Sequence, residues 1–401
     1  MGSLGGATGV IPRLKPTFSS KDLLRALLQM HACDLDTFAR RFARERGFSE
    51  GLFFSSARAA LLAFLESRGI RNREVILPAY TCVVVANAVV QSGNRPVFVD
   101  CGEGDFLVRG EDLLRKVSGK TAAVIPTALF GFPVAPPSFS SLPKSILRIL
   151  DFAHFVPPAG KGPPHGKSTA FWSFNHGKPL STVFGGILGC SNPEFAERVR
   201  HIRNRFPARP LRHFLNRLSY AACSLPAFTR SLFPLTRSLT SADGLLASLT
   251  HYFDPNTINI PEKSLEQPGR FEAALGVSQL NRITGIVKRR KVLYEKYYTA
   301  LSDLRNVTVW HLPPDAWPSH FPMLVPNRNR FIRQMIRRGI DVGTLFPYVV
   351  PLLPAYRDRS QEDYPHARRL AAEIVNLPLL HDLTDEEVSR ILEAVRRAVR
   401  D

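Results

Sequence analysis

Acidic residues are scarce in this 401-residue chain: 34 Asp and Glu stand against 53 Lys and Arg, a formal charge of +19. A surplus of that size implies an anionic partner, which could be nucleic acid, a lipid headgroup or a phosphorylated small molecule. No helix-turn-helix or zinc-finger module is present to favour nucleic acid. Cysteine is also sparse. The five residues, Cys33, Cys82, Cys101, Cys190 and Cys223, are odd in number and share no metal-ligand spacing. They argue against a disulfide scaffold and a zinc site, and they suit a reducing cytoplasm. No apolar run reaches the roughly 18 residues of a transmembrane helix, the best stretch near Val75–Val90 being broken by Pro78. No apolar segment of a secretory signal stands near the start, and the sixth position lacks the Ser or Thr of a myristoylation signal. What remains, 44% hydrophobic and 22% charged, is an ordinary globular composition long enough for two or three domains.

Residues 1 to about 50 read as an arm, rich in Gly and Pro to Pro16, with two short amphipathic helices over Lys21–Met30 and Asp34–Arg46. From Leu52 the texture becomes regular. Strands are predicted at Glu74–Leu77, Pro96–Asp100, Ala122–Pro126 and Ile146–Leu150, and helices at Ala57–Arg68, Thr81–Gln91 and Gly110–Lys116. Short Val/Ile runs alternating with helices indicate an α/β fold with a mainly parallel central sheet flanked by helices. The C-terminal ends of such strands carry the chemistry. Asp100, Asp151, the Pro78–Thr81 segment and Thr127–Gly131 all follow strands directly. Further on come a helix from Pro193 to about Arg205, a long one from about Arg270 to Leu301, a strand at His320–Val325 and a helix at Asn329–Arg338. Thr384 and Glu387 form the capping box of a terminal helix. This divides the chain into an arm (1–50), a large domain (51–300) and a smaller α+β domain (301–401).

The stretch Phe171-Trp-Ser-Phe-Asn-His-Gly-Lys178, followed by Gly185-Gly186, is the most informative. A lysine in a Gly-containing loop is usually only solvated. Here Asp151 ends an apolar strand upstream, His154 follows it, and Ser55-Ser56-Ala57-Arg58 opens a helix. A helix N-terminus with small hydroxyl residues suits a phosphate. A lysine for a Schiff base, a buried aspartate and a phosphate cradle are the parts that a pyridoxal phosphate enzyme needs.

These residues resemble the sugar aminotransferases of the DegT/DnrJ/StrS type, which have the fold type I architecture of pyridoxal phosphate enzymes. Pro12-Arg-Leu-Lys-Pro16, Ser56-Ala-Arg-Ala-Ala-Leu61, Pro78-Ala-Tyr-Thr81, Pro96-Val-Phe-Val-Asp100, Asp151-Phe-Ala-His154, Ser173-Phe174 with Lys178, Ala273-Ala-Leu-Gly276 and Leu377-Pro-Leu379 carry the likeness, in the family's order. The resemblance implies an enzyme that binds pyridoxal 5′-phosphate through Lys178 as an internal aldimine. Asp151 would pair with the ring nitrogen, and His154 would lie near the ring oxygen. Ser56, Ala57 and Ser173 would hold the phosphate. It also implies a cytoplasmic homodimer, an amino donor such as glutamate and a nucleotide-linked keto sugar as acceptor.

The chain departs from the pattern in places. Arg58 replaces a usual Thr in the cradle, where a guanidinium can pair bidentately with phosphate. Cys82 replaces an aromatic, for which Tyr80 is the candidate substitute, and Ala128 replaces a frequent histidine. Ser264–Arg270 lacks the family's Asn-Tyr-Arg segment that reaches the partner's phosphate, with Gln267 or Arg270 as stand-ins. Two other functions compete: a sugar dehydratase, whose relatives carry His in place of the lysine, and a non-catalytic nucleic-acid-binding regulator. Between Arg198 and Arg237 there are nine arginines and no acid. The connection over 207–261 suits a dimer contact, a lid or an element lying on an anionic membrane. Prolines 207, 210, 226 and 234 predict that its helices are short pieces.

Overall fold

The computed structural model describes residues 9–134, 141–160, 168–240, 254–357 and 362–400. After α1 (Ser20–Gln29) and α2 (Thr37–Arg44), seven apolar segments form one sheet: β1 (Glu50–Phe54), β2 (Glu74–Pro78), β3 (Arg95–Val99), β4 (Thr121–Val124), β5 (Leu147–Asp151), β6 (Thr169–Ser173) and β7 (Gly186–Cys190). Their spatial order is β1-β7-β6-β5-β4-β2-β3. Only β7 runs against its neighbours. The C-terminal ends of β1, β2, β4, β5 and β6 therefore share one edge with the N-terminal end of β7. Strands such as Glu74-Val-Ile-Leu-Pro78 are buried throughout, as a sheet covered on both faces requires.

α3 (Ala57–Ser67), α4 (Val83–Gln91), α5 (Gly110–Arg115) and α6 (Pro193–Asn204) follow β1, β2, β3 and β7. The predicted strands and helices of this region lie within a few residues of the observed ones. Two further helices, α7 (Leu211–Ala227) and α8 (Phe233–Thr240), lie in the basic connection. α7 corrects the expectation of short pieces, because its 17 residues are continuous. Pro210 is its N-cap and Pro226 falls in its last turn, so the prolines bound the helix rather than cut it.

The long α9 (Arg270–Leu301) packs on α1 and α2. Beyond it come β8 (Phe321–Leu324), α10 (Arg328–Arg337), α11 (Pro365–Glu373), β9 (Ile374–Leu377) and α12 (Asp385–Arg400). β8 and β9 pair antiparallel, and Ile11 of the arm bridges to Ile340 beside them. The Thr384–Glu387 capping box forms as expected, each backbone N–H meeting the other's side chain (3.1 and 3.2 Å).

Ion pairs that face inward hold α7 and α8. Glu272 of α9 accepts from Arg209 and Arg217 at 2.7 to 2.8 Å. Burial alone would raise the Glu272 carboxyl, but the two guanidiniums hold it below its ordinary value. Arg230 donates to both carboxylate oxygens of Glu387 (2.6 and 2.9 Å), tying the connection to α12.

Candidate active site

The strand ends converge on a helix N-terminus. Ser56 caps α3, its Oγ accepting from the Ala59 N–H at 3.2 Å. Both Ser55 and Ser56 hydroxyls donate to the Ser264 carbonyl (2.7 and 3.0 Å). Gly186, the first residue of β7, is paired on one side with Phe54 and on the other with Ser173. A Cβ at Gly186 would drive into the backbone nitrogen and Cα of Ala57. Only a glycine lets β7 come this close. The first N–H groups of a helix have no intrahelical acceptor, so this cleft is built for an anion.

Asp151 ends β5 and is buried. Its Oδ1 accepts from the Ala153 N–H (2.9 Å) and its Oδ2 from the Thr127 hydroxyl (3.4 Å). Thr127 is in turn 3.1 Å from the Thr81 hydroxyl. Burial pushes the Asp151 carboxyl up to about 6, against the pull of the Ala153 hydrogen bond and of Lys178. Lys178 closes a turn by donating its N–H to the Asn175 carbonyl (3.1 Å). Burial lowers its amine to about 8, while Cys82 and Asp151 oppose the shift. Lys178 and Asp151 thus feel each other's charge in one low-dielectric pocket. Near neutral pH the aspartate is mostly ionised, and an uncharged amine is within easy reach.

His154 completes the group. Its Nδ1 accepts from the Phe130 N–H (3.4 Å), which leaves the ring proton on Nε2. Burial, with Lys178 and His320 nearby, pushes its pKa well down, so the ring is a neutral donor.

Of the other expected residues, Ser173 is buried at the end of β6 beside Gly186. Arg58 lies in the first turn of α3, and its charge reaches Cys82, as that of Lys178 does. Tyr80 is buried, but its hydroxyl donates to the Leu345 carbonyl (2.6 Å) and its ring meets Phe346 edge-on. It reaches the pocket through Phe346, whose ring stacks on His154 at 6.0 Å and 12°. Asp100 turns elsewhere, capping α11 by accepting from the His366 and Ala367 N–H groups (3.0 and 2.8 Å). Gln267 and Arg270 donate to Asn204 and His31 carbonyls of their own chain.

Sequence reasoning missed Phe346 and His320. The His320 ring lies 5.1 Å from His154. It is brought there because Gly131 and Phe130 carbonyls accept from Trp317 and Ser319 (2.9 Å each). A Cβ at Gly131 would strike the Trp317 carbonyl. A histidine at the start of an apolar strand was the only signal available. His176, two residues before Lys178, bears on the dehydratase alternative, and its ring nitrogens are buried beside the basic connection. Neither of its ring nitrogens has a partner among the described residues, and the ring packs against Tyr220 and Phe228 (5.7 and 4.6 Å). The basic connection therefore covers the lysine loop.

Known proteins resemble the chain over nearly its whole length. The chain is 26% identical to a dTDP-4-dehydro-2,3,6-trideoxy-D-glucose 4-aminotransferase of Saccharopolyspora spinosa, over 90% of this chain and 88% of the relative. It is 24% identical to the spore coat polysaccharide biosynthesis protein SpsC of Bacillus subtilis, over 90% and 89%. Among solved structures, the Helicobacter pylori aminotransferase PseC superposes with a TM-score of 0.76 at 18% identity, covering 98% of this chain and 99% of that one. DesI, solved with its TDP-sugar product, gives 0.76 at 18%, covering 100% and 95%. The family match runs over residues 23–213 and 269–396, both sides of the basic connection, and the chain belongs to the DegT/DnrJ/EryC1/StrS aminotransferase family.

Proposed function

We propose that this protein is a pyridoxal 5′-phosphate-dependent aminotransferase that moves an amino group from an amino acid, glutamate in the first instance, to a nucleotide-linked keto sugar. The observation that carries the reading is the shared pocket of Lys178 and Asp151 beside the Gly186–Ala57 cleft. The residues fit the cofactor: an amine, a carboxylate and a helix start with small side chains and free N–H groups are what its aldehyde, ring nitrogen and phosphate require. When bound, the cofactor supplies a conjugated ring that draws electrons from the carbon bearing the transferred nitrogen.

The chain's own residues supply the rest. Lys178 would hold the cofactor, and its Nζ, an amine of pKa about 8, is suited to carry a proton there. Asp151, held by Ala153 and Thr127, keeps a proton on the ring nitrogen. His154 donates from Nε2 to the ring oxygen. Ser56, Ala57, Arg58 and Ser173 bind the phosphate, and Tyr80 acts through Phe346. The relatives' names support the sugar acceptor: a dTDP-linked deoxyketosugar for the Saccharopolyspora spinosa enzyme and a TDP-sugar for DesI. The reading includes a cytoplasmic homodimer.

The test is to incubate purified protein with the cofactor, a panel of amino acids and a panel of nucleotide keto sugars, and to follow products by mass. One donor-dependent gain of an amino group on a sugar is expected. Cofactor binding with loss of water from the sugar, and no nitrogen transfer, would overturn it in favour of dehydration.

A further inference from the structure

The family match stops at residue 213 and resumes at 269, and most of α7 and all of α8 lie between its two segments. These helices bury one apolar stripe, with Ala221 and Phe233 enclosed and Phe214, Leu218 and Leu225 packed beside Ala221, and they also turn ion pairs inward. Arg217 of α7 is buried in its pair with Glu272, and Arg230 and Arg237 of the connection are held by Glu387 and Asp341. A second set of leucines faces solvent: Leu211 is 70% exposed, with Leu215 one turn on, Leu232 just before α8 and Leu235 on it. α1, which packs on α7, repeats the arrangement, with Asp22 buried against Arg282 and Leu28 74% exposed beside Leu24. Nine large apolar side chains are exposed among the described residues, and these six leucines are the majority. An ordinary surface helix puts its apolar stripe inward. Here the inward face is already filled by apolar contacts and ion pairs, and a second set of leucines is left facing outward.

The charges around the leucines have one sign. Lys21, Arg25 and Arg212 are the fully exposed ionic side chains of α1, α7 and α8 among the described residues. Leucines ringed by cations match the boundary between anionic headgroups and acyl chains. A second copy of the chain fits less well. A twofold interface would set the same cations against each other with no exposed acid on these helices to pair them.

We propose that α1, α7 and α8 dock the protein on an anionic lipid surface. The amphipathic helices lie in the headgroup plane with the leucines inserted, and none is long and apolar enough to cross a membrane. The proposal is independent of the aminotransferase reading, because no residue of the pocket takes part.

The test is sedimentation of the full-length protein with vesicles of phosphatidylglycerol and phosphatidylcholine, and with phosphatidylcholine alone, at low and high salt. Binding is expected with the anionic vesicles at low salt, weakened by salt and by leaving out phosphatidylglycerol. Arg25→Glu with Arg212→Glu should lower partitioning by at least roughly 30-fold. Leu211→Ser with Leu215→Ser should lower it by about tenfold or more. Both variants should keep the wild-type melting temperature and cofactor affinity. Wild-type protein that stays in the supernatant with anionic vesicles at low salt overturns the proposal. So does a leucine variant that binds vesicles normally while its oligomer dissociates in light scattering, which would assign the face to a second copy.

Discussion

The backbone nitrogen of Ala57 occupies the space into which a Cβ on residue 186 would project. That contact joins the start of α3 to the start of β7, and both are backbone, so neither can rotate away. Gly186→Ala should therefore push the two elements apart and distort the anion cleft. Overpacking of this kind costs about 1–3 kcal/mol. A lowered melting temperature is expected, together with at least tenfold weaker binding of pyridoxal phosphate. Unchanged affinity would mean that the cleft does not hold the phosphate.

Arg58 is expected to contribute its charge to the same phosphate. It lies in the first turn of α3, and its charge reaches Cys82, as that of Lys178 does. Arg58→Ala should raise the cofactor's dissociation constant by about tenfold, in keeping with the loss of one charge-assisted hydrogen bond. Equilibrium titration followed by absorbance decides it, and an unchanged constant would assign Arg58 a structural role.

Asp151 and Lys178 give linked pH predictions. The rate at which protein stripped of cofactor recaptures it should rise with pH through about 8, as the Lys178 amine loses its proton. Asp151 holds that value up, so Asp151→Asn should move the midpoint lower. Stability supplies a second readout. The folded Asp151 carboxyl titrates at about 6 against 3.8 ordinarily, so the folded state binds the extra proton between these values. Stability is then lost as pH rises from 3.8 through 6, by an amount of order 3 kcal/mol. Asp151→Asn should remove that portion of the slope. Parallel wild-type and variant curves over this interval would contradict the burial argument.

Much of the site was legible because strand-end positions in a parallel sheet are equivalent, so Asp151, Thr127 and Ser56 could be placed from the pattern of apolar runs alone. Asp100 satisfies the same rule and yet caps α11, since a strand at the sheet's edge can face a helix that sequence spacing does not reveal. Tyr80 was expected at the cofactor, but its hydroxyl is bound to Leu345, 265 residues away in sequence. His320 and Phe346 were invisible for the same reason. His320 reaches His154 through backbone contacts made by a left-handed Phe130 (φ 57°) and by Gly131, Phe346 stands beside Tyr80 and the Leu345 carbonyl it holds, and no local pattern encodes those contacts. The prolines of α7 misled because only their position in a helix, first turn or last, decides whether they break it.

Glu272 is predicted to anchor the basic connection. Glu272→Gln leaves Arg209 and Arg217 only their longer pairing with Glu266 (3.6 and 3.9 Å), a loss of roughly 1.5–3 kcal/mol. Limited proteolysis should then cut within 207–240 much faster than in the wild type, with the sheet intact by circular dichroism. Equal cleavage rates would show that α7 is held by its apolar contacts alone.

The central claim is that Lys178 is the residue to which the cofactor attaches. Protein incubated with pyridoxal phosphate should be yellow, and Lys178→Ala should be colourless while still melting cooperatively. Borohydride reduction of the loaded wild-type protein followed by peptide mapping reads the attachment directly. The account predicts the cofactor's added mass on the peptide that contains Lys178. The mass on another lysine, or a Lys178→Ala protein that keeps both colour and turnover, would contradict it.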